Sequence, residues 1–289
     1  MKKRIILFNY IGLIILILFS WQTCMANSEF YLGEFTPVEK ITSGMILQLA
    51  ATEEDLVAVE IELENNYFKS EMNQIIAGDR LKIKTTQQEY IINNTITRIN
   101  SNELYHNYNN FSLALIFTAK PIDLPGEYKN KLIIRKIYSE GIRAEAVVGR
   151  EVIVKINPWV KIEKIEAQSK VMIDSSNYSN KNLFSRSIPV VKVASNTDWR
   201  LYAVIEAEKN KLVKMLKIII PNQSVAYTSV RPEGIYLNFE EQLIASGGKT
   251  VDDDHYWVEV PCSLSIDDFT KVEAGTIDFP INFYVSKAD

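Results

Sequence analysis

"AGTIDFPINFYV", residues 274–285, reads as a Gly-led turn followed by a strand with one apolar face. Ile277, Phe279, Ile281, Phe283 and Val285 alternate with Thr276, Asp278, Pro280, Asn282 and Tyr284. A sustained period of two belongs to a half-buried strand and not to a helix. Burying those apolar side chains contributes about 8–12 kcal/mol gross, before the entropy of ordering them is subtracted. Proline cannot donate to a ladder, so Pro280 predicts an edge strand or a bulge at that point.

Working outward, the same period dominates from residue 30 onward. "LVAVEIELE" (56–64), "RLKIKT" (80–85), "FSLALIF" (111–117), "KLIIRKI" (131–137), "EVIVKI" (151–156), "VVKVAS" (190–195), "RLYAVIEA" (200–207) and "YWVEV" (256–260) are short and rich in β-branched or aromatic residues. Asn, Asp, Gly and Ser clusters separate them, which predicts an all-β antiparallel sandwich or barrel. "EKNKLVKMLKIII" (208–220) fits a helical face at Leu212, Met215, Leu216 and Ile219, but Ile218–Ile220 before Pro221 favours strand.

The opening stretch has an earlier counterpart. "PGEYKNKLIIRKI" (125–137) aligns with it, placing Gly126 on Gly275, Tyr128 on Ile277, Leu132 on Ile281 and Ile134 on Phe283. Upstream, "LQLAATEEDLVAVEIE" (47–62) aligns with "VKVASNTDWRLYAVIE" (191–206), with Asp55 against Asp198 and Leu56 against Trp199. Two matches in the same order at similar separation predict a duplicated β-domain, each copy closing its sheet with the Gly-led strand (Gly126 and Tyr128; Gly275, Ile277 and Phe279). Asn157-Pro158 breaks the strand ending at Ile156. The expected organisation is therefore a signal peptide at 1–26, a sandwich domain at 27–157 and a second at 158–289. Trp159 is expected to anchor the second core, its alternative being a plug between the domains.

The leader has its own pattern. Lys2, Lys3 and Arg4 precede a nearly apolar run from Ile5 to Phe19, and Cys24 and Ala26 occupy the small-residue positions of a cleavage site before Asn27. That run is short of the roughly 20 residues needed to span a bilayer. An uncleaved leader would be the one means of membrane attachment. "WQT" before Cys24 does not suit a lipobox. Cleavage removes three positive charges and takes the formal charge from −4 to −7, which argues against nucleic acid as a partner. Cys262 is then left without an intramolecular partner, so an exported domain must rely on its core.

Chemistry-bearing patterns are sparse. After the leader only His106 and His255 remain as histidine bases, and no Gly-x-Ser-x-Gly elbow is present. Cys262 and His255 are seven apart on one expected strand, so they point to opposite faces, and Cys262 reads as a buried structural thiol. "GGKT" (247–250) lacks the earlier glycine of a phosphate-binding loop, and a hairpin turn accounts for Gly247-Gly248. Asp252, Asp253 and Asp254 are weak metal candidates, because the run lacks the spacing of a calcium loop and reads as a solvated turn. No cofactor is expected. "NELYHNYNNF" (102–111) and "SSNYSNKNLF" (175–184) carry the Tyr, Asn and Ser of adaptable binding loops, with Tyr105, Tyr108, Asn109, Tyr178 and Asn180 as candidate contacts for a glycan or other ligand.

"LPGEYKNKLIIRKI" and "VEAGTIDFPINFYV" resemble the Gly-led ending of exported bacterial immunoglobulin-like sandwiches of the cell envelope, including pilus and spore-coat-type subunits. "SNTDW" (195–199) is similar to a segment of such proteins. The resemblance implies two tandem immunoglobulin-like domains and a non-catalytic structural or adhesive role in a fimbria-like assembly, located in the periplasm or at the cell surface. The partners it implies are other envelope proteins or further copies of the chain. The chain departs from pilus subunits in having no disulfide, and residues 27–40 do not read as a donor strand. The alternatives are a carbohydrate- or ligand-binding module, then a periplasmic assembly chaperone, then a hydrolase.

Overall fold

The computed structural model describes residues 29–50, 56–107, 110–139, 147–164, 170–173, 184–205, 216–221, 225–252, 254–266, 275–278 and 281–288. The leader and Asp55, Tyr108, Asn109, Tyr178, Asn180, Asp253, Phe279 and Pro280 lie outside them. The described residues form strands joined by turns, with short 3-10 turns at Gly78–Arg80 and Ser101–Glu103 and no α-helix. The chain divides into two compact units. Unit 1 holds the described residues of Met1–Phe35, Glu39–Ala119 and Gly126–Ile156. Unit 2 holds those of Thr36–Val38, Lys120–Pro125 and Asn157–Asp289.

Unit 1 runs through β1 (Glu29–Phe35), β2 (Thr42–Ala50), β3 (Leu56–Leu63), β4 (Tyr67–Ser70), β5 (Ile75–Ala77), β6 (Leu81–Lys84), β7 (Glu89–Ile91), β8 (Thr97–Asn100), β9 (Tyr105–Asn107), β10 (Asn110–Thr118), β11 (Gly126–Tyr138) and β12 (Val147–Ile156). One sheet has the order β1-β12-β11-β3-β8, with the β4–β5 hairpin against β11. The other has the order β2-β10-β6-β7, with β9 also on β10. This is an immunoglobulin-like pair of sheets. Alternate residues from both sheets meet in one core around Phe117, whose ring lies edge-on to Phe35 (5.2 Å) and Phe68 (5.4 Å). β11 does not close its sheet, contrary to the expectation for Gly126 and Tyr128. It pairs with β3 on one side and β12 on the other, and turns Tyr128, Leu132 and Ile134 into the core.

Glu29–Phe35 is absent from the strands predicted above, yet β1 runs parallel to β12 and buries Phe30, Leu32 and Phe35. The register shifts between Tyr31 and Gly33. A bulge there resets the side-chain parity, so Leu32 and Phe35 face the same core although they are three apart. Gly33 sits at φ +122°, a conformation that side chains rarely adopt.

Unit 2 contains β13 (Val160–Lys164), β14 (Lys170–Ile173), β15 (Phe184–Ser195), β16 (Trp199–Ile205), β17 (Leu216–Ile219), β18 (Thr228–Ser229), β19 (Ile235–Tyr236), β20 (Gln242–Gly247), β21 (Val258–Ile266), β22 (Gly275–Asp278) and β23 (Ile281–Lys287). Its sheets have the orders β13-β15-β21-β17-β19 and β18-β20-β16-β23, and β14 pairs with β22. The core gathers around Trp199, Leu201, Leu216, Ile218, Val260 and Phe283. The β15–β21 register slips between Ile188 and Val191, where Pro189 and Pro261 stand on facing strands and neither can donate.

Gly247-Gly248 is not a hairpin turn. β20 ends at Gly247 and pairs with β16 and β18, not with the strand that follows it. A Cβ on Gly247 would lie 2.5 Å from the Trp199 ring and 2.6 Å from the Ala226 carbonyl, so close packing demands the glycine. Trp159 belongs to a cluster apart from the main core, with Ala194 and Val251 and packed by Val38, Ile122, Tyr256 and Trp257. Its ring stacks on Tyr256 at 5.8 Å.

Candidate functional site

Tyr105 lies in β9, and its hydroxyl donates to the Thr85 carbonyl at 3.1 Å, so it braces a loop. Beside it, Glu103 is buried and organises the turn from within. Its Oε1 accepts from Asn100 N (3.4 Å) and Asn100 Nδ2 (3.1 Å). Its Oε2 accepts from the Tyr90 hydroxyl and from Gln88 Nε2 (3.3 Å). The Tyr90 hydrogen bond, chiefly, holds the Glu103 carboxyl below the usual range, with help from Gln88 and Asn100 against the opposing effect of burial. Burial, and then Glu103, push the Tyr90 hydroxyl up. These residues satisfy one another.

Asp252 Oδ1 accepts from Asp254 N (2.9 Å) and His255 N (2.6 Å), with His255 Nδ1 at 3.2 Å. Those backbone donors, His255 first, lower its carboxyl pKa. This is a self-capped turn, in which Asp252 is engaged by the backbone of the residues after it. Among the described residues, no three His, Cys, Asp or Glu side chains are grouped to hold a metal ion. Cys262 is buried, its thiol is pushed up to about 12 by desolvation, and it points toward the Val260 carbonyl at 3.6 Å. A thiol so far from ionisation is an inert core residue. His255 precedes the strand that carries Cys262, so the two share no strand.

The surface feature that stands out is edge backbone. Among the described residues β2 pairs with β10 alone, through nine residues without a register shift. Thr42–Ala50 reads "TSGMILQLA", with no charge and no proline. Leu47 and Leu49 point into the core while Ile46 is 68% exposed. Natural edges are blunted by charge, proline, bulges or brevity, and other edges here follow that rule. β8 carries Arg98, β13 carries Lys161, Glu163 and Lys164, β1 is bulged, and β7 and β19 have three and two residues. β2 has none of these devices. In unit 2, β23 pairs with β16 alone among the described residues, turning Phe283 inward and leaving Tyr284 exposed.

The closing strand is expected at an edge from Pro280, and β23 lies at one; the β2 edge is not anticipated, because the first strand match begins at Leu47. The available signal is the uncharged run from Thr42 to Thr52.

No family model matches the sequence, and neither does any curated protein. Among solved structures, the chain is similar to the CooA pilin subunit from enterotoxigenic Escherichia coli, at 14% identity and TM-score 0.30 over 45% of this chain and 90% of that one. It is similar to a chain of a chaperone-tip adhesin complex of CFA/I fimbriae biogenesis, at 6% identity and TM-score 0.31 over 91% and 97%. It is also similar to a family 123 glycoside hydrolase from Clostridium perfringens, at 10% identity and TM-score 0.30 over 45% of this chain and 22% of that one. At these TM-scores the likenesses carry no inference about descent or activity. The solved structures to which this chain is similar include pilus subunits and fimbrial tip-adhesin assemblies.

Proposed function

We propose that this protein is an exported, non-catalytic structural or adhesive component of a bacterial cell envelope, and that it joins its neighbours through sheet edges in a fimbria-like assembly. One observation supports this most. Two units that share most of their strand order send their first strands to opposite sheets. β1 lies parallel to β12, whereas β13 lies antiparallel to β15. The strand matching β15 in unit 1 is β2, and among the described residues nothing pairs with its outer side. The strand matching β11 in unit 2 is β22–β23. There β23 has no described counterpart of β12, and β22 pairs with β14. Among the described residues each unit thus presents a long edge, at a different place. Rows of backbone donors and acceptors along such an edge template an added strand.

The matching strands are themselves evidence for duplication. β2·β10, β10·β6, β6·β7, β3·β11 and β3·β8 recur as β15·β21, β21·β17, β17·β19, β16·β23 and β16·β20, all antiparallel and in the same chain order. Leu56 stands opposite Tyr138 and Trp199 opposite Lys287, while Leu132 and Ile281 stand opposite Leu63 and Ile205. The domains then correspond to 27–157 and 158–289, preceded by a cleaved leader at 1–26.

A photoreactive residue placed at Gln48, at Tyr284 or, as control, at Lys249 tests the edge reading in cells that export the protein. Position-dependent cross-links to an exported partner or to a second copy, from either edge and not from Lys249, are expected. Equal yields at all three positions, or no cross-link from either edge, would overturn it.

A further inference from the structure

We infer that the β2 edge pairs with β2 of a second copy, antiparallel and centred on Ile46, joining two unit 1 sheets across a twofold axis. The inference rests on the edge-assembly reading and names the occupant of one edge.

Thr42–Ala50 has Ile46 at its midpoint. Antiparallel pairing of the strand with itself about that point places Ile46 opposite Ile46. Gly44 then faces Gln48, and Thr42 faces Ala50. On the inner side Met45 meets Leu47 and Ser43 meets Leu49. No charged side chain enters the contact, so the like-charge repulsion that disfavours most self-paired strands is absent. Ile46, 68% exposed, is the residue such a pair would bury. Met45, Leu47 and Leu49 already face the core side, so the joined sheets keep one apolar face across the junction. The nine-residue ladder to β10 runs without a bulge, which leaves the outer backbone groups regularly spaced for a second ladder. A twofold contact of this kind uses the same patch on both copies and closes on itself.

Sedimentation velocity of the full exported chain tests the pairing. The parent is expected to sediment as a dimer, Ile46→Lys and Ile46→Glu each as a monomer, and an equal mixture of the two as a dimer again. Ile46 is exposed, so both variants should keep the parent's circular dichroism. If either unfolds, disulfide trapping replaces it. Ile46→Cys should form a covalent dimer on oxidation, because directly opposed strand residues lie within disulfide reach. Gln48→Cys, which faces Gly44, should not. A parent that stays monomeric at every concentration overturns the inference. So does a dimer unaffected by Ile46→Lys, or trapping at Gln48 equal to that at Ile46. Were the parent monomeric while Tyr284 still cross-linked a partner in cells, the inference would fail and the proposed function would stand.

Discussion

Asn196 does work that its place in the polar segment "SNTDW" does not announce. It is 1% exposed, accepts from Trp159 N at 2.8 Å and donates to the Asp123 carbonyl at 2.8 Å. Ser195, equally buried, ties the Trp159 carbonyl to that of Thr197. Asn196→Ala removes both hydrogen bonds and takes the acceptor from the buried Trp159 N–H, and urea unfolding should show a loss of about 1–3 kcal/mol. The segment is short, polar and next to a strand, so a turn is the natural reading. Its burial depends on loops distant in sequence, which no local pattern reveals. Glu103 is a second case. Its carboxyl is held low by Tyr90, so its contribution to stability is fully present above the ordinary carboxylate range and lost as pH falls through its lowered value. Glu103→Gln should flatten the acid limb of Tm against pH while lowering Tm at neutral pH. An acid limb identical to the parent's would remove Glu103 from that role. The neighbouring Tyr105 was legible as a special residue, but its hydroxyl is spent on the Thr85 carbonyl.

Strands are legible where the period of two runs unbroken, as in β10 and β16, because one face of each meets the core. β1 and the far half of β21 are less legible, because their ladders are irregular. β1 buries three large side chains, but the bulge at Tyr31–Gly33 breaks the alternation. β21 begins at Val258, after His255, and continues through Pro261, because Pro189 faces it and the loss of donors coincides on both strands. The bulge in β1 depends on a glycine. Gly33 has φ +122°, and an added Cβ would also meet Ser43 Oγ at 3.2 Å. Gly33→Ala should therefore cost about 1–3 kcal/mol, measured by urea unfolding. Ala at the exposed neighbour Glu34 should cost little. If the two substitutions cost the same, the bulge geometry is not what holds β1 in place.

At the scale of the whole chain, each unit carries its own hydrophobic core, so all-or-none unfolding is not the expectation. The tryptophans make this measurable. Apart from Trp21 in the leader, all are in unit 2: Trp159, Trp199 and Trp257. Trp199 is fully buried in the unit 2 core and Trp159 in its satellite cluster. Tryptophan fluorescence therefore reports unit 2, while far-ultraviolet circular dichroism reports both units. Phe117 is buried in unit 1 between Phe35 and Phe68, and its truncation leaves a cavity among rings that strands hold apart. Phe117→Ala should destabilise unit 1 by about 3–5 kcal/mol. In a denaturant titration of the exported chain, the circular dichroism curve should gain an early phase while the tryptophan transition keeps its midpoint. Leu201→Ala, in the core around Trp199, should do the reverse and move the tryptophan transition. A tryptophan midpoint that follows Phe117→Ala in full would mean that the two cores unfold as one, because only a shared cooperative transition carries a unit 1 cavity into a unit 2 signal.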